Sequence, residues 1–272
     1  MKIKCIDPFD IRDRRIAIIG AAGLLGSQFV EYLSSLGAKV ILGDVDFLKC
    51  KTLSFNLNKK GFNTLPLFVD NTDEKSIEIF FKEIKNKFDG LDVLINNAQI
   101  KPEGFYAPFE KYTKETLIKV IDGNLIGVTI ACREACKIFI ECKKGVIINV
   151  ASIYGVVAPD QRLYNGAKNI YFPDEEFSSP VSYAISKAGI IQLTKYLASY
   201  YREKNIRVNC LTPGGVYDNH DENFKKQYAY RTLLGRMAEK NEYNAAVLFL
   251  CSDASSYMTG SNLIIDGGWS VI

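Results

Sequence analysis

Apolar residues along the chain gather in short runs, with helix-periodic polar stretches between them. The runs 16–19, 40–42, 65–69, 93–95, 146–150, 206–211 and 263–265 are nearly unbroken, as in strands covered on both faces. After the first run, Leu25, Phe29, Leu33 and Leu36 recur at helical spacing. Before the sixth, Ile190, Leu193, Leu197 and Tyr201 do the same. Strands alternating with amphipathic helices predict an α/β fold, a doubly wound parallel sheet of about seven strands flanked by helices. Such sheets bind ligands beyond the carboxyl ends of their strands.

No linker, repeat or low-complexity tract divides residues 1–272, so one domain is expected. Residues 1–12 precede the first strand and read as a surface arm. Segment 157–180 breaks the rhythm with Pro159, Gly166, Pro173 and Pro180, and is too long and irregular for a simple connection. It reads as an insertion. Segment 217–234 follows Pro213-Gly214-Gly215, carries His220, Tyr228, Tyr230 and Arg231, and reads as a mobile substrate lid.

Composition narrows the function. With 47% hydrophobic and 24% charged residues, the chain has ample core material and is not a disordered protein. No apolar run approaches the roughly 20 residues of a bilayer span, so no membrane partner is expected. The net charge of +3 comes from interspersed residues, which gives no footprint for nucleic acid. Seven cysteines, one histidine and no Cys-x-x-Cys argue against a disulfide framework. Cys132, Cys136 and Cys142 lie close together but lack zinc spacing, so no metal is expected. Buried thiols in a reducing cytoplasm are the reading adopted.

The first strand runs through Gly20 into Ala21-Ala22-Gly23-Leu24-Leu25-Gly26 and then a helix. Glycines there let backbone N–H groups approach a pyrophosphate at a helix N-terminus. A plain tight turn would use the same residues. Asp44 ends the second strand, where a carboxylate accepts ribose hydroxyls and repels a 2′-phosphate. With no Arg or Lys in the glycine loop, this favours NAD over NADP.

Tyr-x-x-x-Lys occurs at Tyr164/Lys168 and again at Tyr183/Lys187. On a helix the two residues share a face, and a neighbouring cation lowers a phenol's pKa. The first copy contains Asn165 and Gly166 and is followed by Pro173, which disfavours a helix. The second opens a long amphipathic stretch, so Tyr183 and Lys187 are selected. Ser152 follows the fifth strand, where it serves equally as a turn cap or as a substrate-facing hydroxyl. Asn124 lies among poor helix formers in Asp122-Gly123-Asn124, a sign of a kink or a water site.

Together these residues resemble a short-chain dehydrogenase/reductase. Gly20–Gly26, Asp44, Asp70, Asn96-Asn97-Ala98, Asn124, Ser152, Tyr183/Lys187, Pro213-Gly214 and the ending Thr259-Gly260…Asp266-Gly267-Gly268 follow the family's order over about residues 13–272. The resemblance implies a Rossmann-type fold and NAD(H)-dependent interconversion of a secondary alcohol and a ketone. It implies Tyr183 as general acid/base, Lys187 as its tuner, Ser152 as orienter of the reacting oxygen and Asn124 as holder of a relay water. Cofactor contacts are implied for Gly20, Gly23, Leu24, Leu25, Gly26, Asp44, Asp70, Asn71, Asn96, Ala98, Pro213, Gly214 and Val216, besides Tyr183 and Lys187. A homodimer or homotetramer through the helix at 189–202 is implied as well. Three features depart from the pattern: the Gly-x-x-Gly-x-x-Gly spacing, Gln99 after Asn-Asn-Ala, and the 31 residues from Ser152 to Tyr183.

The sequence from Ser152 to Asp160, with Pro213–Tyr217, further resembles dehydrogenases of bacterial sugar modification, including flagellin glycosylation and nonulosonic acid synthesis. That implies an anionic small molecule, a sugar phosphate or nucleotide-linked sugar, met by Ser152, Tyr154, Gln161, Arg162 and Tyr164. Arg162 is the expected anion clamp, although a solvated loop arginine is the alternative. Reduction of a 3-oxoacyl thioester or small ketone, or a non-catalytic dinucleotide sensor, are the other readings. The polar, tyrosine-rich composition of 217–234 counts against a greasy substrate.

Overall fold

A computed structural model describes residues 7–272. Seven parallel strands form one sheet in the order β3-β2-β1-β4-β5-β6-β7. They are β1 (Arg15–Ile19), β2 (Lys39–Asp44), β3 (Asn63–Phe68), β4 (Val93–Asn96), β5 (Gly145–Val150), β6 (Ile206–Pro213) and β7 (Asn262–Ile265). Each expected apolar run lies on one of these strands; only the run at 65–69 extends past its strand, by Val69. The order reverses between β1 and β4, which opens a crevice at their carboxyl ends.

The strands alternate their side chains between two helical layers. Ala17 and Ile19 of β1 pack with α3 (Glu74–Phe88), α5 (Gly127–Cys142) and α6 (Val181–Tyr200). Ile16 and Ile18 pack with α1 (Leu24–Ser35), α2 (Phe47–Lys59) and α8 (Asn244–Cys251). Of two further helices, α7 (Glu222–Arg231) lines the crevice through Phe224 and Tyr228, while α4 (Lys114–Ile121) packs on α6. Between α4 and α5 the chain forms a π-helical turn over Asp122–Ile126, where the sequence led us to expect a kink.

Residues 1–6 of the expected arm lie outside the described residues. The remainder is packed down rather than free: Ile11 is buried in the core, and the Pro8 carbonyl accepts from the Ala254 amide. The 157–180 segment contains one short 3-10 turn, Gln161–Tyr164, and no α-helix. It is clamped onto the loop after β4. Ser178 donates to the carbonyls of Tyr106 and Ala107, and Glu175 accepts from the Gly104 amide.

Candidate active site

A cleft of about 560 Å³ opens at the carboxyl ends of β1, β2, β4, β5 and β6. At one end lies the junction of β1 and α1. Gly20 has φ +82, and a side chain there would strike the backbone of Ala98, so the turn needs glycine. Gly23, Leu24 and Leu25 line the cleft, and the first turn of α1 has no side-chain cap. Its amides are therefore available to an anion. Asp44 stands beside them, accepting from the amides of Ala22 (2.9 Å) and Asp46 (3.0 Å). Asp70 and Asn71 complete this end, and the buried Asn71 Oδ1 has no hydrogen-bond partner.

The chemistry-bearing residues meet at the other end. Ser152 follows β5, and its Oγ accepts from the Tyr154 amide at 3.2 Å while also hydrogen bonding to the Tyr183 side chain. The serine caps the turn and also lines the cleft. Gly155 makes the approach possible, because a side chain there would collide with the Lys187 backbone. Pro180 precedes α6, so Tyr183 sits in its first turn and Lys187 one turn on. Lys187 Nζ donates to the Val150 carbonyl at 2.8 Å and lies 5.6 Å from the Tyr183 ring centroid.

Burial governs the titration of this pair. It pushes the Tyr183 phenol above its ordinary value, with the Ser152 hydrogen bond pulling the other way. Lys187 is not among the groups that shift the phenol, so the depression expected from this lysine is not seen. Burial also brings Lys187 down to about 8.

Several expected residues lie elsewhere. Asn96 points away from the cleft: its Nδ2 donates to Asn149 Oδ1 at 2.9 Å and reaches Cys132 Sγ. Asn97 takes the cleft position instead, donating to the Gly20 carbonyl. Gly26 is a packing residue, because a side chain there would meet the Gly20 carbonyl. Asn124 lies behind the wall in the π turn. Its Oδ1 accepts from the Ile100 amide at 2.8 Å, and its buried Nδ2 has no partner.

The expectations for Gln161 and Arg162 are corrected by the geometry. Gln161 fastens the insertion to itself, exchanging hydrogen bonds with the Ser179 backbone. The Arg162 side chain is 79% exposed and paired with Asp160, away from the cleft. Tyr154 and Tyr164 do line it, their hydroxyls 3.4 Å apart. The inner face of 217–234 also differs from its composition: Phe224 and Tyr228 turn inward, while Tyr230 is exposed. With Tyr171 and Phe177 from the insertion they give the substrate end an aromatic wall. Lys101 and Asp218, which the sequence reading passed over, complete it.

The cleft suits a dinucleotide. Free amides, an acidic ribose site and the unpartnered Asn71 carbonyl lie at one end, and a phenol–lysine pair at the other. This arrangement defines an oxidoreductase of the short-chain type. The chain belongs to that family: residues 14–170 match short chain dehydrogenase, and 175–270 match the group described as enoyl-(acyl carrier protein) reductase.

Its relatives span varied chemistry. A trans-4-hydroxycyclohexanecarboxylate dehydrogenase of Sinomonas cyclohexanicum is 33% identical, with 93% of this chain and 92% of that one covered. A 3-oxoacyl-[acyl-carrier-protein] reductase of Aquifex aeolicus is 29% identical, covering 92% and 95%. A short chain dehydrogenase of Leptospira borgpetersenii, solved with bound NAD+, superposes with a TM-score of 0.84 at 35% identity, covering 99% and 98%.

Proposed function

We propose that the protein is an NAD(H)-dependent alcohol/ketone oxidoreductase acting on an anionic, hydroxylated ring compound, with a sugar phosphate or nucleotide-linked sugar as the leading class. The convergence of Ser152, Tyr183 and Lys187 at one end of a cleft whose other end holds Gly20, Gly23 and Asp44 carries this reading. When bound, the dinucleotide supplies the hydride acceptor or donor. Tyr183 Oη, as phenolate, takes up the alcohol proton in oxidation, and as phenol gives its proton to the carbonyl oxygen in reduction. Ser152 Oγ holds the reacting oxygen in line with that phenol, and the Lys187 ammonium stabilises the phenolate formed. Asn124, behind the wall with a free Nδ2, is suited to hold a relay water for Lys187.

Preference for NAD rests on charge. The cleft wall around Asp44 is formed by Gly20, Gly23, Leu24, Val45, Asp70 and Asn71, with no cation. The 2′-phosphate would meet carboxylates without a counter-ion. The bound NAD+ of the Leptospira relative is consistent with this. The test is cofactor titration: the unmodified protein should bind NADH more tightly than NADPH, and Asp44→Ala should narrow the gap. Tighter NADPH binding by the unmodified protein would overturn the assignment.

The aromatic wall favours a second reading, reduction of a 3-oxoacyl thioester or a neutral cyclic ketone. Turnover of acyl thioesters with no activity on charged sugars would establish it. We further propose that the chain is one domain, with 157–180 and 217–234 closing over the substrate. It would act as a homodimer or homotetramer in the cytoplasm. Exposed Ile185, Tyr196 and Tyr200 on α6 support the assembly, and the free cysteines among the described residues suit a reducing compartment.

A further inference from the structure

Two cationic side chains among the described residues line the cleft, Lys101 and Lys187. Lys187 is engaged with the Val150 carbonyl beside Tyr183. Lys101 has no such commitment. It leaves the loop after β4, and its ammonium lies 3.8 Å from the centroid of the Tyr171 ring. Surrounding protein removes enough water to lower its pKa, opposed by the field of Asp218 rather than by any hydrogen bond.

The neighbours come from separate parts of the chain. Tyr171 belongs to the insertion, while Asp218 and His220 belong to the segment before α7. His220 Nδ1 accepts from the Asp218 amide at 3.1 Å, which leaves Nε2 as the donor nitrogen of the neutral ring. Its ring stacks on Phe224 at 5.2 Å and meets the edge of Tyr171 at 6.3 Å. The insertion and the 217–234 segment are thereby joined around one corner of the cleft.

We propose that Lys101, not Arg162, seats the anionic group of the substrate, and that Asp218 accepts a hydroxyl of the same molecule. This rests on the anionic-substrate reading given above. A partly dehydrated ammonium lacking a paired carboxylate gains an oxyanion at reduced desolvation cost. The carboxylate of Asp218 accepts hydrogen bonds but donates none, so it selects for hydroxyls nearby. The ring carrying both lies against Tyr171 and its aromatic neighbours. A carboxylate and a phosphate ester share the chemistry that Lys101 recognises.

Calorimetric titration of the NAD+-loaded protein separates them. The probes are D-glucuronate and D-glucose 6-phosphate, with D-glucose as the uncharged control and acetoacetyl-N-acetylcysteamine as the acyl thioester. At least one anion should bind the unmodified protein. Lys101→Met should weaken it by at least about tenfold, and Lys101→Arg should restore most of the loss. NAD+ affinity and thermal stability should stay unchanged, which certifies the folded variant. With a probe that turns over, the loss should appear in KM rather than kcat. Binding tighter to the carboxylate or to the phosphate probe identifies the source.

Equal binding of an anion by Lys101→Met and the unmodified protein would overturn the role of Lys101 while leaving the anionic substrate intact. Binding of D-glucose or the acyl thioester, with both anions rejected, would overturn both. Binding of no probe at all would count against the subsite as drawn.

Discussion

In the proposed reaction a single phenol, that of Tyr183, carries the proton. Tyr183→Phe keeps the ring against Phe105 and removes only the transferable proton. Turnover should fall by roughly 10²–10⁴-fold, with NAD+ affinity retained. Tyr164→Phe should leave turnover nearly intact, because its hydroxyl meets Tyr154 rather than a lysine. Steady-state kinetics of the two variants checks the choice. At this scale the sequence was informative wherever local rules apply. Pro180 before an amphipathic run was enough to separate Tyr183 from Tyr164. It was uninformative where tertiary pairing decides. Asn96 and Asn97 are adjacent and alike, and only the register of β4 on β5 turns Asn96 toward Asn149. Arg162 looked free because its partner Asp160, two residues earlier, was not weighed as an ion pair. Lys101 gave no signal beyond its place a few residues after a strand end.

The insertion and α7 act as one element with two chain segments. Asp160 joins them. It caps the Gln161–Tyr164 turn through the Arg162 amide at 3.1 Å and pairs with Arg231 at 2.6 Å. Arg231 in turn lies over the Trp269 ring. Leu163, Tyr164, Phe224, Tyr228 and Trp269 form the apolar centre beneath. Asp160 is mostly covered, Arg231 partly so, and Asp160 also caps the turn, so Asp160→Ala should cost about 1–2 kcal/mol of stability. The KM for substrate should nonetheless rise by roughly threefold or more, since the loosened pair forms the cleft's outer wall. An unchanged KM would show that the aromatic centre alone holds the two together. Helix α7 was not foreseen within the segment read as a lid: its polar composition concealed an inward pair, Phe224 and Tyr228, four residues apart.

Across the whole molecule the strands were the most legible feature, because a sheet covered on both faces demands apolar runs. Their order was not, since pairing is a property of the packed chain. One ion pair guards the sheet's amino-terminal edge. Asp92 receives the Arg15 amide and guanidinium at 2.8–3.0 Å. Burial raises the carboxyl's pKa, but Arg15 outweighs it and holds the group down at about 2. A depressed carboxyl stabilises the fold above its unfolded pKa near 4 and loses that contribution as pH falls toward 2. Asp92→Asn should therefore cost about 2 kcal/mol at pH 7, with the difference shrinking between roughly pH 4 and 2. Denaturant unfolding at several pH values tests this. On the outer surface, Tyr196 and Tyr200 stack with centroids 5.9 Å apart and stand exposed on α6. The double change Tyr196→Glu/Tyr200→Glu should shift the proposed assembly to monomer in sedimentation, whereas an unmodified protein already monomeric at micromolar concentration would refute it.

The π turn at Asp122–Ile126 has a consequence for how this chain can vary. A π turn holds one residue more than the α-helix around it requires. Loss of a single codon there would restore a regular helix and leave the helix after it in phase, because the π turn absorbs the extra residue. Cys132, Ala135 and Phe139 of α5 would keep their places in the core, while Asn124 would leave the Ile100 amide. Exchanges of side chain at Leu125 or Ile126 leave the spacing intact. A one-residue deletion here should therefore leave a folded protein with an altered cleft wall, whereas a one-residue insertion should turn α5 off the core by about 100° and unfold it in a length scan.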